Sequence, residues 1–330
     1  MRIGLIDVDA VNNHGAKFPN LALMRISAWH KAQGDEVEWW WTDLIHYDVV
    51  YMSKVFSDTY SPDVPEPLNA DRVVKGGTGY AIHTINGKEV FDKNRHQDLP
   101  PEIEKMFPDY SIYPQFDFAI SMTSRGCPRG CQFCHVKAKE GCKSRKVADV
   151  KDFWNGQKHI EILDPNITAC REKRDLFRQY MATGATLNFN QGLDMRFIND
   201  EDVDDINHMR IVKMHFAWDN PKDDLEDKFR WFSEKHKRKN NGMVYCLTNF
   251  ENVSEEEHVQ RALRRVNILR ELNYDPFVMI YDKPNAPQKI KDLQRWCNNK
   301  FVFKKVKRFE DYLGSKHYSQ LDRLREDSEL

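Results

Sequence analysis

Ser124-Arg125-Gly126-Cys127-Pro128-Arg129-Gly130-Cys131-Gln132-Phe133-Cys134-His135 is the stretch on which the reading of this chain turns. Its cysteines stand in the spacing C-x-x-x-C-x-x-C. Three thiolates this close on a short loop can converge on one centre. On a four-iron cluster, three protein ligands leave one iron open to a small molecule, whereas a four-cysteine cluster mainly carries electrons. A structural zinc site is the competing reading, with His135 or Cys142 as fourth ligand. Zinc knots, however, pair two C-x-x-C halves or set one half against a distant H-x-x-x-H, and no second half stands in this sequence.

Outward from the cysteines, the chain alternates between strand and helix signals. Residues 116–122 read as a strand leading into the loop. Strand-like runs follow at 159–163, 186–190, 211–218, 243–248 and 276–281, with helical stretches between them. One such stretch spans 169–182. The clearest spans 255–272, with Val259, Ala262, Leu263, Val266, Leu269 and Leu272 on one face and charges on the other. Six strands alternating with helices predict an α/β chain with an open six-stranded (β/α) barrel over 111–330. Reactive groups of such sheets gather at the C-terminal strand ends. Those ends are polar here: Asp164 and Asn166, then Asn190 and Gln191 with Asp194 and Arg196 behind, then Asp219 and Asn220, Thr248 and Asn249, and Tyr281 and Asp282. Any one of these residues is equally well a turn former or helix cap. Five polar ends in succession point to a lined polar cavity.

Residues 1–110 read as a smaller domain. A strand over residues 1–9 ends in Asp7-Val8-Asp9, and a polar loop, Asn12-Asn13-His14-Gly15, follows. Pro19 opens a helix bearing Leu21, Leu23, Met24, Ile26, Ala28 and Trp29, which Gly34 closes. Further strands are expected at 36–41, 48–53 and 72–75. Strand, helix, strand in that order implies a right-handed crossover and a parallel, Rossmann-like sheet. Gly76-Gly77-Thr78-Gly79 could cradle a phosphate on bare backbone N–H groups. A glycine-rich turn after a strand is the plainer reading.

The cysteine spacing, Phe133 just before the third cysteine and the strand ahead of the loop resemble the radical S-adenosylmethionine (SAM) enzymes. The resemblance implies a [4Fe-4S] cluster on Cys127, Cys131 and Cys134, whose open iron binds the amino and carboxylate groups of SAM. One electron, delivered by a flavodoxin- or ferredoxin-type donor, then releases a 5′-deoxyadenosyl radical that abstracts hydrogen from an unactivated position of a substrate. The cofactors supply that chemistry and the protein supplies orientation. A partial (β/α)6 barrel is also what the family implies. By the same resemblance Phe133 packs on the adenine. Family members often carry a glycine-glycine-glutamate stretch after the second strand to meet the SAM amino group, and Asp164-Pro165-Asn166 stands in that place here. Arg196 suits the SAM carboxylate through its planar fork. Asn190 or Gln191 suits the ribose, Asn249 joins the cofactor-lining set, and Asp219 and Tyr281 face the expected substrate position.

The front domain resembles the cobalamin-binding domain of cobalamin-type radical SAM proteins. Its D-x-H-x-x-G signature is missing, since His14 and His30 stand in other contexts. A scaffold domain is therefore expected, with cobalamin as the alternative. A methyl or methylthio transfer would suit a cobalamin-like front domain. Two further readings stay open: a zinc-stabilised nucleic-acid-binding protein without catalysis, and a SAM-binding redox sensor.

Composition narrows the setting. The net charge of −1 gives no global footprint for nucleic acid. Two basic stretches, Lys235-His236-Lys237-Arg238-Lys239 and Lys304-Lys305-Val306-Lys307-Arg308, could touch phosphates of a nucleic acid or nucleotide, but solvated edges account for them equally simply. The second follows Phe301-Val302-Phe303, which reads as strand-like. No apolar run approaches the length of a membrane span. The chain opens directly on a strand without a signal-peptide pattern, and seven cysteines, an odd number, fit a reducing cytoplasm better than a disulfide scaffold. Cys142, near the loop, could serve as a resolving thiol, Cys246 reads as core, and the tail from Ser315 as polar and prone to fray.

Overall fold

A computed structural model describes residues 1–12, 18–85, 88–238 and 240–314. The chain forms two compact units, Met1–Gln191 with Met209–Val212, and Gly192–His208 with the chain from Lys213 onward. Part of the loop expected after the first strand (residues 13–15), Lys239 of the first basic stretch and the tail from Ser315 lie outside the described residues.

The first unit begins with strand β1 (Arg2–Asp7), almost wholly buried. It pairs in parallel with β2 (Glu36–Trp39) on one side and β3 (Tyr47–Ser53) on the other, and β3 pairs in parallel with β4 (Ala70–Gly76), giving the order β2-β1-β3-β4. This is the parallel sheet that the sequence predicts. Its helix, Leu21–Ala32, starts where Asn20 accepts the Leu23 N–H at 3.2 Å and stops before Gly34, whose φ is +83°. Leu23 and Ile26 of that helix bury against Ile3 and Leu5. β1 is shorter than expected because residues 8–12 turn into a short helix, whose Ala10 N–H is held by the Asp7 carboxylate. The glycine run after β4 is a turn built for close backbone approach. A Cβ on Gly77 or Gly79 would stand 2.3 Å from the Lys54 carbonyl oxygen or 2.1 Å from that of Phe56.

A hairpin, β5 (Ile82–Ile85) with β6 (Lys88–Phe91), then precedes the main run of strands. β7 (Ala119–Ser121) leads to a small antiparallel pair, β8 (Ser124–Arg125) and β9 (Arg145–Lys146). β10 (His159–Ile162) pairs in parallel with β7 and with β11 (Thr186–Leu193). β7 is shorter than the predicted 116–122 because a turn precedes it, closed by the Phe116 N–H donating to the Tyr113 carbonyl at 3.1 Å. Likewise the helix expected from 169 starts only at Lys173 and runs to Thr183, since Asn166 caps a separate 3-10 turn, Ile167–Ala169.

In the second unit the part of β12 (Ile211–Ala217) from Lys213 onward, β13 (Met243–Thr248) and β14 (Asp275–Ile280) run parallel in that order. Helices Glu226–Lys235, Glu255–Glu271 and Gln288–Asn298 accompany them. Phe216 sets one face against Phe229 and Phe232, and Val259, Val266 and Val278 join Ile290, Leu293 and Trp296 in a buried cluster. The amphipathic reading of residues 255–272 holds for the apolar stripe but not for all the charges. Arg265 is only 2 % exposed. Its guanidinium donates to the carbonyl oxygens of Trp218, Asp219 and Leu247 at 2.5, 2.9 and 2.9 Å.

Residues 301–303 correct the sequence reading. They belong to a helix, Lys300–Lys305, whose start is capped by Asn299 accepting from the N–H groups of Phe301 and Val302. A strand would place Phe301 and Phe303 on one face. Instead Val302, Phe303 and Val306 pack on the buried cluster while Phe301 is 83 % exposed. Among the described residues no helix is long and apolar enough to cross a membrane.

Candidate active site

Gly126 sets the entry to the cysteine loop. Its φ is +85°, and a Cβ there would stand 2.2 Å from the Lys143 carbonyl oxygen. Its N–H donates to the Glu140 carboxylate at 3.0 Å, and the Cys127 N–H to the Gly141 carbonyl at 3.2 Å. Arg125, one residue earlier, pairs with Glu104 at 2.8 Å, and the buried Arg25 takes the same carboxylate oxygen at 2.6 Å. The front helix is thus tied to the base of the loop. Gly126→Ala pays about 1–2 kcal/mol for the left-handed backbone alone, before the carbonyl clash. The variant is expected to keep its far-UV circular dichroism and lose most of its iron uptake on anaerobic reconstitution, which iron analysis reads.

Asp164 follows β10 and is buried. Its carboxylate accepts from Thr123 N at 2.5 Å, Thr123 Oγ1 at 2.6 Å and Ser124 N at 3.0 Å, holding the strand end that feeds the loop. Burial pushes its pKa up to about 6, against the pull of those hydrogen bonds. The unfolded carboxyl, near 3.8, therefore ionises first. The stability this group contributes is full below about pH 4 and is lost as the pH rises to about 6. Asp164→Asn is expected to remove that pH-dependent part. It is also expected to cost about 1–3 kcal/mol, because an NH2 group cannot accept from the backbone donors. Denaturant melts of both proteins at about pH 4, 5 and 7 compare the slopes.

None of the three loop cysteines is in a disulfide: Cys127 and Cys131 are partly exposed and Cys134 is exposed. Cys134 N donates to Cys131 O at 3.1 Å, so a tight turn joins these two. Asn166 commits its side-chain oxygen to the Ala169 N–H and the Thr168 hydroxyl, leaving its NH2 to donate to Cys127 Sγ at 3.3 Å. Hydrogen bonds to ligand sulfur are one of the levers that set a cluster's reduction potential. The other cysteines differ. Burial pushes the Cys170 and Cys246 thiols up to about 11 and about 12 and raises Cys297 further, while Cys142 is exposed. Ligand atoms around one zinc ion lie about 4 Å apart, given Zn–S bonds of about 2.3 Å in a tetrahedron. Among the described residues the group of three potential ligands that tight is His46, Asp48 and Asp71, away from the cysteine loop on and beside β3 and β4.

The face of β10 and β11 opposite the helix Lys173–Thr183 is polar. Leu187 and Phe189 turn toward that helix, with Phe189 at 6.4 Å from Phe177 and 6.3 Å from Tyr180. His159, Glu161, Asn188 and Asn190 therefore share the other face by strand alternation. The Glu161 carboxylate accepts from His159 at 2.8 Å, from Asn188 at 2.8 Å and from Asn190. Asn188 Oδ1 is buried and has no donor. The sequence reading reached Asn190 and Gln191 but missed Glu161 and Asn188. The available signal was a polar residue at every second position of otherwise core strands.

In the second unit, Arg196 is flanked by Asp194, at 2.8 Å, and Asp223. Asp219 accepts from the Leu247 N–H at 3.1 Å. Asn249, at φ +63°, donates to the Tyr281 carbonyl at 2.9 Å, and the Tyr281 ring meets Phe250 edge-on at 4.9 Å. Tyr245 stacks on His215 at 5.7 Å, on the sheet face opposite Phe216. Each of these groups closes the C-terminal end of a strand or lies on the sheet face opposite Phe216.

No family model and no curated protein matches the sequence. Among solved structures, the chain is similar to the radical S-adenosylmethionine methyltransferase TsrM from Kitasatospora setae, determined with cobalamin and a [4Fe-4S] cluster bound. The TM-score is 0.60 at 11 % identity, over 84 % of this chain and 74 % of that one. The chain shares the fold of that enzyme. At such identity the likeness carries the fold, and chemistry rests on the residues present. Those residues fit a cluster held by three thiolates with a polar ligand beside it. Three unoxidised thiols stand on one short loop, an amide N–H points at one sulfur, and a buried amide oxygen without a donor lies on the polar sheet face.

Proposed function

We propose that this protein is a radical SAM enzyme, with Cys127, Cys131 and Cys134 holding a [4Fe-4S] cluster and SAM bound beside it. The observation that supports the reading is the three unoxidised thiols on a loop braced by Gly126, Glu140 and Arg125, in a chain that shares the fold of a radical SAM methyltransferase. When bound, such a cluster supplies the electron that splits SAM reductively and yields a 5′-deoxyadenosyl radical for hydrogen abstraction. The protein's own residues then position. Asn166 orients Cys127 through its amide, and Asp164 holds the strand end through Thr123 and Ser124. Phe133 offers an aromatic surface to the adenine, and Asn190 and Gln191 offer amides to the ribose. Arg196 would meet the SAM carboxylate by exchanging one of its two carboxylate partners, with Asn249 completing the cofactor-lining set. Asp219 and Tyr281 are assigned to the substrate. A flavodoxin- or ferredoxin-type protein is the electron donor.

Residues 1–110 are assigned as a Rossmann-like scaffold. His30 offers no ligand to cobalamin, since its ring nitrogens bond Asp35 at 2.6 Å and Tyr51 at 3.0 Å and it is 1 % exposed. His14 lies outside the described residues.

Anaerobic reconstitution with iron and sulfide, then dithionite and SAM, tests the reading. A brown protein releasing 5′-deoxyadenosine above a protein-free control is expected. A colourless protein with one zinc per chain would support a binding module instead, and a reducible cluster that never cleaves SAM would support a sensor.

A further inference from the structure

Charge is distributed unevenly along this nearly neutral chain. Between Lys283 and Arg308 stand nine lysines and arginines against a single carboxylate, Asp292. Asp292 is itself buried and already bound by Gln288 at 2.9 Å, with Arg295 at 3.6 Å. The helix Gln288–Asn298 explains the segregation. Ile290, Leu293, Trp296 and Cys297 turn into the core, which leaves Gln288, Lys291 and Arg295 on the outer side at helical spacing. With Lys283 and Phe277 they line a cavity of about 490 Å³. Asn299 lines the same cavity and caps the next helix, on which Phe301 stands 83 % exposed beside Lys300, Lys304 and Lys305.

Lys289, Lys300 and Arg308 pair with carboxylates from outside the segment, Glu256, Asp275 and Glu310, but a merely solvated edge requires no aromatic ring in water. Cations tracking a backbone, interleaved with aromatic rings, are what binds single strands: phosphates meet the cations and bases stack on the rings. A protein strand added to β14 is disfavoured, because Asn298 and Gln294 already occupy the Val278 backbone. Val278 N donates to Asn298 at 2.8 Å, and the amides of Asn298 and Gln294 both donate to Val278 O at 3.0 Å.

We propose that the face formed by residues 283–308 and Phe277 binds single-stranded nucleic acid, with Phe301 as its exposed stacking platform. The inference stands on surface chemistry and does not rest on the cysteine loop. The test is a fluorescence-anisotropy titration of the full chain, without cluster or SAM, using labelled mixed-sequence single-stranded RNA and DNA of about 20 nucleotides over a range of salt. Affinity is expected to fall linearly with salt on logarithmic axes. Lys304→Ala with Lys305→Ala should shallow that slope by about 0.7 for each phosphate no longer neutralised. Phe301→Ala should weaken binding roughly tenfold with the slope unchanged, and Phe301→Trp should restore it. Tighter binding of RNA or of DNA names the polymer, and either supports the proposal. Three results would overturn it: no binding at low salt, a blunt duplex bound as tightly as the single strand, or Phe301→Ala indistinguishable from the parent. Capture of an acidic flavodoxin-type protein by this face in place of the oligonucleotide would overturn it as well. SAM cleavage plays no part in the readout, so failure here leaves the enzyme reading standing, and the reverse.

Discussion

Replacing Cys127, Cys131 or Cys134 by alanine is expected to reduce both iron content and 5′-deoxyadenosine release to the level of a protein-free control. Each substitution leaves two ligands where three are required, and an iron–sulfur cluster is held through its thiolate ligands. The comparison that gives this result meaning is Cys142→Ala. Cys142 is also an exposed thiol close in sequence, so a non-specific effect of thiol removal would appear there too. It is expected to retain full iron content and activity. Cys246→Ala and Cys297→Ala, by contrast, delete buried thiols and are expected to lower stability modestly while leaving the cluster in place. Loss of iron in the Cys142 variant, or its retention in a Cys131 variant, would reassign the ligand set.

The second large effect is structural. Arg265→Met should lower the melting temperature by about 10 °C or more, through a loss of about 3–5 kcal/mol. The guanidinium satisfies three carbonyl oxygens at the C-terminal ends of β12 and β13, two of them in buried pairs, and no uncharged side chain of that length carries equivalent donors. Burial lowers its pKa, yet an arginine stays charged across the accessible range, so the stabilisation should not titrate between about pH 5 and 9. Arg265→Lys is expected to recover less than half of the loss, because an ammonium is a point charge without the planar fork. A thermal melt followed by circular dichroism decides it. A shift of less than about 2 °C for Arg265→Met would show that water or backbone rearrangement satisfies those oxygens.

Strand positions and the parallel α/β architecture were legible because buried parallel strands leave long apolar runs and the helices between them a 3.6-residue period. Ambiguity arose where both periods fit. Phe301-Val302-Phe303 alternates by eye, but the cap at Asn299 and the packing of Val302, Phe303 and Val306 make it helical. Arg265 was hidden by its own charge: a pattern that sorts charged residues outward cannot see one held inward by three carbonyls. The cysteine loop was legible from spacing, whereas the partners that brace it were not. Gly126 needs Lys143, and Arg125 meets Arg25 through Glu104, all brought together only by folding. Asp164 and Arg196 illustrate the same limit. Sequence offered them as groups for a ligand, and folding gives each protein partners that composition does not reveal.

At the centre of the proposed chemistry stands an iron with a vacant position that SAM occupies. Electron–nuclear double resonance on the reduced, reconstituted protein, with SAM labelled by 15N at the amino group and 17O at the carboxylate, tests this directly. Hyperfine coupling from both labels is expected. Spectra identical with labelled and unlabelled SAM, from a fully loaded protein, would contradict it.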